Sequence, residues 1–536
     1  MKKLYFIAIL LYSLFLSAQT GYQRAWGTYY GGKNFAGHNC ILDQSGNLYV
    51  IGQAENTALV ESPDYYDSFV TAGCFQPSFS EKSGMLIKIS PEGNLIWASY
   101  IGANTNEISG FFMTIDSQNN LFIAAEIIGL SDAGLATEPP GFNIFTTGRR
   151  GLLLKFTPEG QQVWGKWLPF GVTNMTIDSQ DRLLIGGLTA VENFGTPGVF
   201  QETFDSVSNS LAPLIGCYDS QGNKIWASYN GNGSSSSYFD LVTDEAGNCY
   251  AWGTCSKNDN FYASPGCFQS QSDYTLPPVK PMAYLSKFSA SGQRLWSTYY
   301  GLSSIDQERT LSRGVDYENG FVYITGSSGA SSGMTTTGVF QENVANQLPN
   351  TGNGFVAKFD TNGNRIWGSY LGGSDGDTGT RIAVQEGVVA VAGYTKSTDQ
   401  ITTIGAPQTQ LYPGAENHLN GFVTAISTDG TTKYWGSYYS GDFGSNVSGL
   451  GINTSGSIFI AGTTQSTVNI ATSGSLQPQK NTGSSTTPSD VINMFIARFD
   501  PIPLKTEAFS SGIDFSYFPN PATSLVSITS KTPIDE

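Results

Sequence analysis

Along most of the chain, short runs of alternating or wholly apolar residues are separated by clusters of Asp, Asn, Ser and Gly. Leu48-Tyr-Val-Ile-Gly52, Gly354-Phe-Val-Ala-Lys-Phe359 and Ile458-Phe-Ile-Ala-Gly462 are such runs. Asp43-Gln-Ser-Gly-Asn47, Asp244-Glu-Ala-Gly-Asn248 and Asp360-Thr-Asn-Gly-Asn364 are such clusters. Period-2 runs bounded by these residues predict antiparallel strands joined by hairpins. Asp hydrogen-bonds the backbone two residues on, and Gly supplies the positive φ that closes the turn. No stretch sustains a helical period.

The pattern repeats. Trp26, Trp97, Trp164, Trp226, Trp296, Trp367 and Trp435 recur at a period of roughly 68 residues, within words such as Trp26-Gly-Thr-Tyr-Tyr-Gly-Gly32 and Trp367-Gly-Ser-Tyr-Leu-Gly-Gly373. Each unit reads as four strands. The first ends at Asp43, Asp116, Asp178, Asp244, Asp316, Gln385 or Asn453; a tight turn, a second strand, a long polar insertion, a third strand, another tight turn and the Trp strand follow. Four antiparallel strands per repeat predict the blade of a β-propeller. A Trp strand near Tyr22–Tyr30 precedes the first unit, and none follows Asp500. The expected fold is therefore all-β: a seven-bladed propeller over 19–500, closed by the N-terminal strand pairing into the last blade, which leaves no open edge.

These repeats resemble the SBBP β-propeller repeats of secreted bacterial proteins. Tyr370-Leu-Gly-Gly373, Gly379-Thr-Arg-Ile-Ala-Val384 and Ala392-Gly-Tyr-Thr-Lys-Ser-Thr-Asp399 match best, and Gln385-Glu-Gly departs from the family's Asp-x-x-Gly-Asn turn. The resemblance implies a propeller and no particular activity. At the C-terminus, Tyr517-Phe-Pro519-Asn520-Pro521 and the alternating Leu525-Val-Ser-Ile528 resemble the opening of the type A C-terminal sorting domain of type IX secretion substrates. That resemblance implies the type IX machinery as a partner and a released or cell-surface protein. The expected organisation is a signal peptide over 1–18, the propeller over 19–500, a linker over 501–512 and the beginning of a truncated sorting domain over 513–536. Met1-Lys-Lys3, the apolar run Leu4–Leu16 and the small Ser17-Ala18 carry the signal reading. No later apolar run is long enough to span a bilayer.

The charge narrows the partners. With 27 basic and 43 acidic side chains the net charge is −16, which argues against nucleic acid, whose phosphates need a basic surface. Two histidines exclude a His-rich zinc site, and no nucleophile elbow or phosphate loop occurs. Six cysteines in an exported chain permit disulfides; Cys40–Cys74 and Cys255–Cys267 are the expected pairs, with Cys217 and Cys249 as buried thiols. The recurring Trp is expected in blade packing rather than on a sugar-stacking surface, and the Asp-x-x-Gly-Asn words in turns rather than in metal sites.

In a four-strand meander the two tight turns share one end, so every long connection opens at the other. Scaffolds of this kind usually work through their loops. The Gly-Gly loops rim the channel there and hold Asn34, Asn104, Asn106, Glu107, Asn232, Asp306, Glu308, Arg309, Asp375, Asp377 and Asp442. Such oxygens suit Ca²⁺ or sugar hydroxyls, although no twelve-residue calcium loop occurs, and a plain solvated loop has the same composition. No resident cofactor, metal or catalytic residue is assigned. The expected function is non-catalytic binding of a glycan, protein or surface by a secreted monomer. The alternative is an extracellular hydrolase or lyase using the rim carboxylates.

Overall fold

The computed structural model describes residues 21–502, except 57–60, 80–81, 103–107, 128–133, 139–149, 205–210, 232–235, 256–260, 271–280, 302–309, 331 and 346–351, together with two C-terminal strands. Residues Gly21–Pro501 make one compact unit, an all-β, seven-bladed β-propeller of four-stranded antiparallel sheets. Blade one consists of Phe35–Leu42, Leu48–Glu55, Lys82–Ile89 and Leu95–Ile101. The first strands of the blades are Phe35–Leu42, Ile108–Ile115, Gly171–Ile177, Ser236–Thr243, Thr310–Glu318, Asp377–Gln385 and Ser445–Ile452. Each touches the first strand of both neighbouring blades, so the seven form a closed inner ring. The N-terminal strand Tyr22–Tyr30 pairs with Asn493–Pro501 and supplies the fourth strand of blade seven, with Trp26 opposite Arg498. Pro501, expected to open the linker, still pairs with Tyr22. Among the described residues, no helix is long and apolar enough to cross a membrane.

The recurring Trp residues join the blades. The indole Nε1 of Trp26, Trp97, Trp226, Trp296 and Trp367 donates to a turn carbonyl of the next blade (Pro91, Pro158, Ala290, Thr361 and Thr428) at 2.9–3.0 Å. The glycine of that turn lies flat on the ring. At Gly363 (φ +87°) a Cβ would come within 3.0 Å of Trp296, and at Gly430 (φ +75°) within 2.5 Å of Trp367, so the residue must be glycine for both space and backbone. Trp164 keeps the glycine contact, with Gly222 on its ring, and Trp435 departs further. At the closing junction it packs on Tyr22 and Phe499, ring centroids 5.1 and 5.3 Å away, and its Nε1 has no partner, because the chain ends replace the turn that would accept from it.

The turn words behave as turns. Asp43 accepts from the Ser45 and Asn47 amides at 3.0 and 2.8 Å and from Asn47 Nδ2 at 2.9 Å, and it pairs with Lys88 at 3.2 Å. Asp116 and Asp244 repeat this with Lys155 and Lys287. Asp316 differs from expectation. Blade five turns tightly at Asn319-Gly320, both at positive φ, so its first strand runs on to Glu318 and Asp316 lies within the strand.

All six cysteines are free thiols, and neither expected disulfide is made. Cys40 is on the innermost strand of blade one, whereas Cys74 sits in a turn that Thr71 hangs on Ala98 of the outermost. Three strand spacings, ~14 Å, separate such positions, beyond a disulfide's reach. Cys255 lies on the second strand of blade four, while Cys267 sits in a turn hung on Ser297 of the fourth strand. Cys217 and Cys249 are buried.

Outside the Gly21–Pro501 unit, Phe515–Phe518 pairs antiparallel with Ser527–Ser530. Tyr517 is in the first of these strands. The signal segment 1–18 and Pro519, Asn520 and Pro521 lie outside the described residues.

Candidate functional site

The insertions do not simply stand on the long-connection face. In all seven blades a Thr or Ser of the insertion donates its amide to the fourth strand. Thr71 reaches Ala98, Thr137 Gly165, Thr196 Ala227, Ser264 Ser297, Thr336 Gly368, Thr403 Gly436 and Thr472 Gly27. In six blades a Gln five residues later accepts from the same strand, as Gln341 does from the Tyr370 amide at 3.1 Å. Its side chain then reaches the Gly-Gly loop. Gln76 and Gln201 accept from the Gly102 and Gly231 amides at 3.0 Å, and Gln341 from Gly372 at 3.3 Å. The later half of each insertion is thus a clamp on the blade's outer edge, which hides strand groups that would otherwise template pairing. A repeated word marks the clamp: Thr71-Ala-Gly-Cys-Phe-Gln76, Thr196-Pro-Gly-Val-Phe-Gln201, Thr336-Thr-Gly-Val-Phe-Gln341 and Thr472-Ser-Gly-Ser-Leu-Gln477 share Thr-x-Gly-x-x-Gln.

The Gly-Gly loops lie at the long-connection end. Two of the expected ligand carboxylates are engaged in holding those loops. Asp377, 1% exposed, accepts from the Gly373 amide at 2.8 Å, from Ser397 Oγ at 3.0 Å and from Thr395 Oγ1. Burial, partly offset by these donors, pushes its carboxyl up to about 7. Asp442 accepts from the Thr467 amide and hydroxyl, both at 2.6 Å, and these donors hold its carboxyl below the ordinary value against the opposing effect of burial. Asp375 is half-buried beside Asp377 and takes a hydrogen bond from the Gly376 amide at 2.6 Å. Asn34 turns the chain at φ +61° and receives the Glu55 amide on its carbonyl at 3.2 Å. The fold therefore places Asp375 and Asp377 in one loop, and Asn34 and Asp442 in others. Asn104, Asn106, Glu107, Asn232, Asp306, Glu308 and Arg309 lie outside the described residues.

The central channel holds a second group of polar residues, which alternation alone does not reveal. Every first strand carries a β-bulge in its first half, after Gly37, Ser109, Val172, Ser237, Ser312, Gly379 and Val447, that of blade four falling one position earlier than the rest. Bulges of this kind re-aim side chains. Opposite equivalent second-strand residues stands a ring of Asn39, Phe112, Asn174, Asp240, Gly314, Arg381 and Gly449, each just past its bulge except Asp240, which follows Phe239.

Much of this ring stitches adjacent blades. Asn174 Nδ2 donates to Asp240, and Asp240 also accepts from the Leu241 amide at 3.0 Å and the Val315 amide of blade five at 3.3 Å. Asp316, two residues past Gly314, accepts from the Val384 amide of blade six at 2.7 Å. Thr380 Oγ1 donates to the Val447 carbonyl, and Ser448 Oγ to the Gly37 carbonyl, both at 2.7 Å. Burial pushes the Asp240 carboxyl up to about 6 against the opposing pull of Arg381, and Asp316 up to about 7. Burial and then the Arg381 charge push His38 below its ordinary value. Among the described residues, no group of three His, Cys, Asp or Glu side chains is arranged to hold a metal ion.

No family model matches this chain. No curated protein matches it either. Among solved structures, it is similar to a protein of unknown function from Dyadobacter fermentans, at 12% identity over 89% of this chain and 99% of that one, with a TM-score of 0.37. It is also similar to virginiamycin B lyase from Staphylococcus aureus, at 9% identity over 88% and 97% of the two chains and a TM-score of 0.39. The Pan2 WD40 domain of Neurospora crassa gives 7% identity over 90% and 98%, with a TM-score of 0.39. At these values the neighbours assign no activity to this chain.

Proposed function

We propose that this chain is a secreted or cell-surface propeller of SBBP-like repeats that binds a glycan, a protein or a surface without catalysis, through the loops at its long-connection end. The observation that carries this reading is the division of labour between the two ends. One end consists of tight turns that serve the blade junctions. At the other end, buried Asp377 and the Thr467-bound Asp442 hold short loops in fixed shapes, and a preorganised surface loses little entropy on binding. The terminal words that resemble a signal peptide and a type A sorting domain support export by the type IX machinery, and the clamped edges suit a monomer outside the cell.

The alternative, an extracellular carbohydrate-active hydrolase or lyase, draws on Asp240, whose carboxyl is pushed into the range useful for proton transfer. An array of bacterial and plant glycans probed with the intact chain, with and without calcium, separates the two. Retention without turnover is the expected result. Product release that disappears in Asp240→Asn or Asp375→Ala would replace binding with catalysis.

A further inference from the structure

Arg381 stands in the channel ring on the first strand of blade six. Its charge acts on Asp240 of blade four and on His38 and Cys40 of blade one. These blades lie on opposite sides of blade six around the ring, so a single guanidinium reaches both only through the lumen. Gly314, the ring position of blade five, lets the backbone of blade six approach closely: a Cβ there would come within 3.0 Å of the Ile382 amide nitrogen and 3.2 Å of Arg381 Cα. Solvent reaches Arg381, His38 and Asp240.

The neighbouring carboxylates do not neutralise Arg381 by contact. Asp240 and Asp316 spend their oxygens on Asn174 and on backbone amides. Among the described residues no carboxylate lies within 4.0 Å of Arg381, and the hydrogen bond its guanidinium makes is from Nη1 to the Thr380 carbonyl at 3.0 Å. Arg313, in the bulge of blade five and exposed although it is on an innermost strand, adds a second guanidinium to that part of the ring.

We propose that the waist of this channel is a binding site for a small monocarboxylate, held on the Arg381 guanidinium. A planar carboxylate matches the guanidinium fork with two parallel charge-assisted hydrogen bonds. A single negative charge suits a waist that also holds Asp240, which repels a dianion such as phosphate more strongly. This inference is independent of the loop-face reading, and either stands if the other falls.

The test is calorimetric titration of the full chain with acetate and with D-glucuronate, against D-glucose and against sodium chloride at equal ionic strength. Saturable binding of both carboxylates is expected, weakened at least tenfold in Arg381→Gln and several-fold in Arg381→Lys, which keeps the charge and loses the fork. Unchanged affinity in Arg381→Gln, or no saturable heat with either carboxylate, would overturn the proposal. If Arg381→Gln does not fold, the wild-type protein decides alone. Broadening of the acetate methyl line that glucuronate relieves and chloride does not supports the site; equal relief by chloride refutes it.

Discussion

At the scale of single residues, the same side-chain chemistry takes opposite roles according to burial. Asp43 and Asp244 sit in turns, accept from two amides and an Asn side chain, and are paired with lysines. Asp377 is sealed among hydroxyls and an amide with, among the described residues, no cation in contact, and desolvation dominates it. The consequence is a pH dependence of definite sign. Burial lets the folded Asp377 keep its proton up to about 7, against an ordinary value of 3.8, so between those values the native state binds more protons than the unfolded one. Stability from this group therefore falls as pH rises through that window. Asp377→Asn, which the Thr395 and Ser397 hydroxyls can accommodate by turning, is expected to gain stability relative to wild type between pH 5 and pH 8, by on the order of 1 kcal/mol or more. Urea midpoints of the two proteins across that range check this, and a constant difference would remove Asp377 from the account.

At the scale of elements, each blade solves the edge problem with its own insertion. The clamp residue Gln341 donates Nε2 to the Gly372 carbonyl at 3.0 Å and accepts the Gly372 amide on Oε1, so one side chain joins the outer edge of blade five to the loop that enters blade six. Gln341→Ala removes both bonds and leaves the partly buried amide and carbonyl of Gly372 short of partners, a loss of roughly 1–2 kcal/mol. Faster hydrogen exchange confined to Arg365–Leu371 and the following loop is the expected readout, and uniform acceleration over the whole chain would argue against a local clamp. The word that builds the clamp is visible in the sequence, yet insertions rich in Gly and Ser look like free loops until the topology brings them alongside the Trp strand. The disulfide expectation failed for a related reason. Spacing along the chain placed Cys40 and Cys74 in one blade, but only the sheet order shows them at its inner and outer limits.

At the scale of the whole molecule, closure rests on the N-terminal strand. Tyr22, Trp26, Tyr29 and Tyr30 are buried there, worth roughly 2 kcal/mol each. The strand is held on both sides, by Asn493–Pro501 and by the Thr472–Gln477 clamp. Deleting residues 19–30 should expose the edge at Asn493–Pro501 and remove more than half of an ordinary stability margin of about 5–15 kcal/mol. Loss of the cooperative thermal transition and self-association on size-exclusion chromatography are the expected outcomes, with partial rescue by a Tyr22–Tyr30 peptide. A truncated chain that stays monomeric and melts like the parent would show that the ring does not need its closing strand.

The amino-acid sequence alone determined the strand rhythm, the seven-fold repeat, the turn chemistry and the missing fourth strand that requires circular closure. All of these follow from local alternation and from counting, because a strand's two faces and a hairpin's glycine are fixed by near neighbours. The tertiary structure alone decided which polar residues meet. Asp240, Asp316, Arg381 and His38 are far apart in the chain and read as unrelated strand residues, and only the ring of bulges turns them into one lumen. It also decided which oxygens are spent, since whether Asp377 faces a ligand or its own loop depends on the groups that burial places around it.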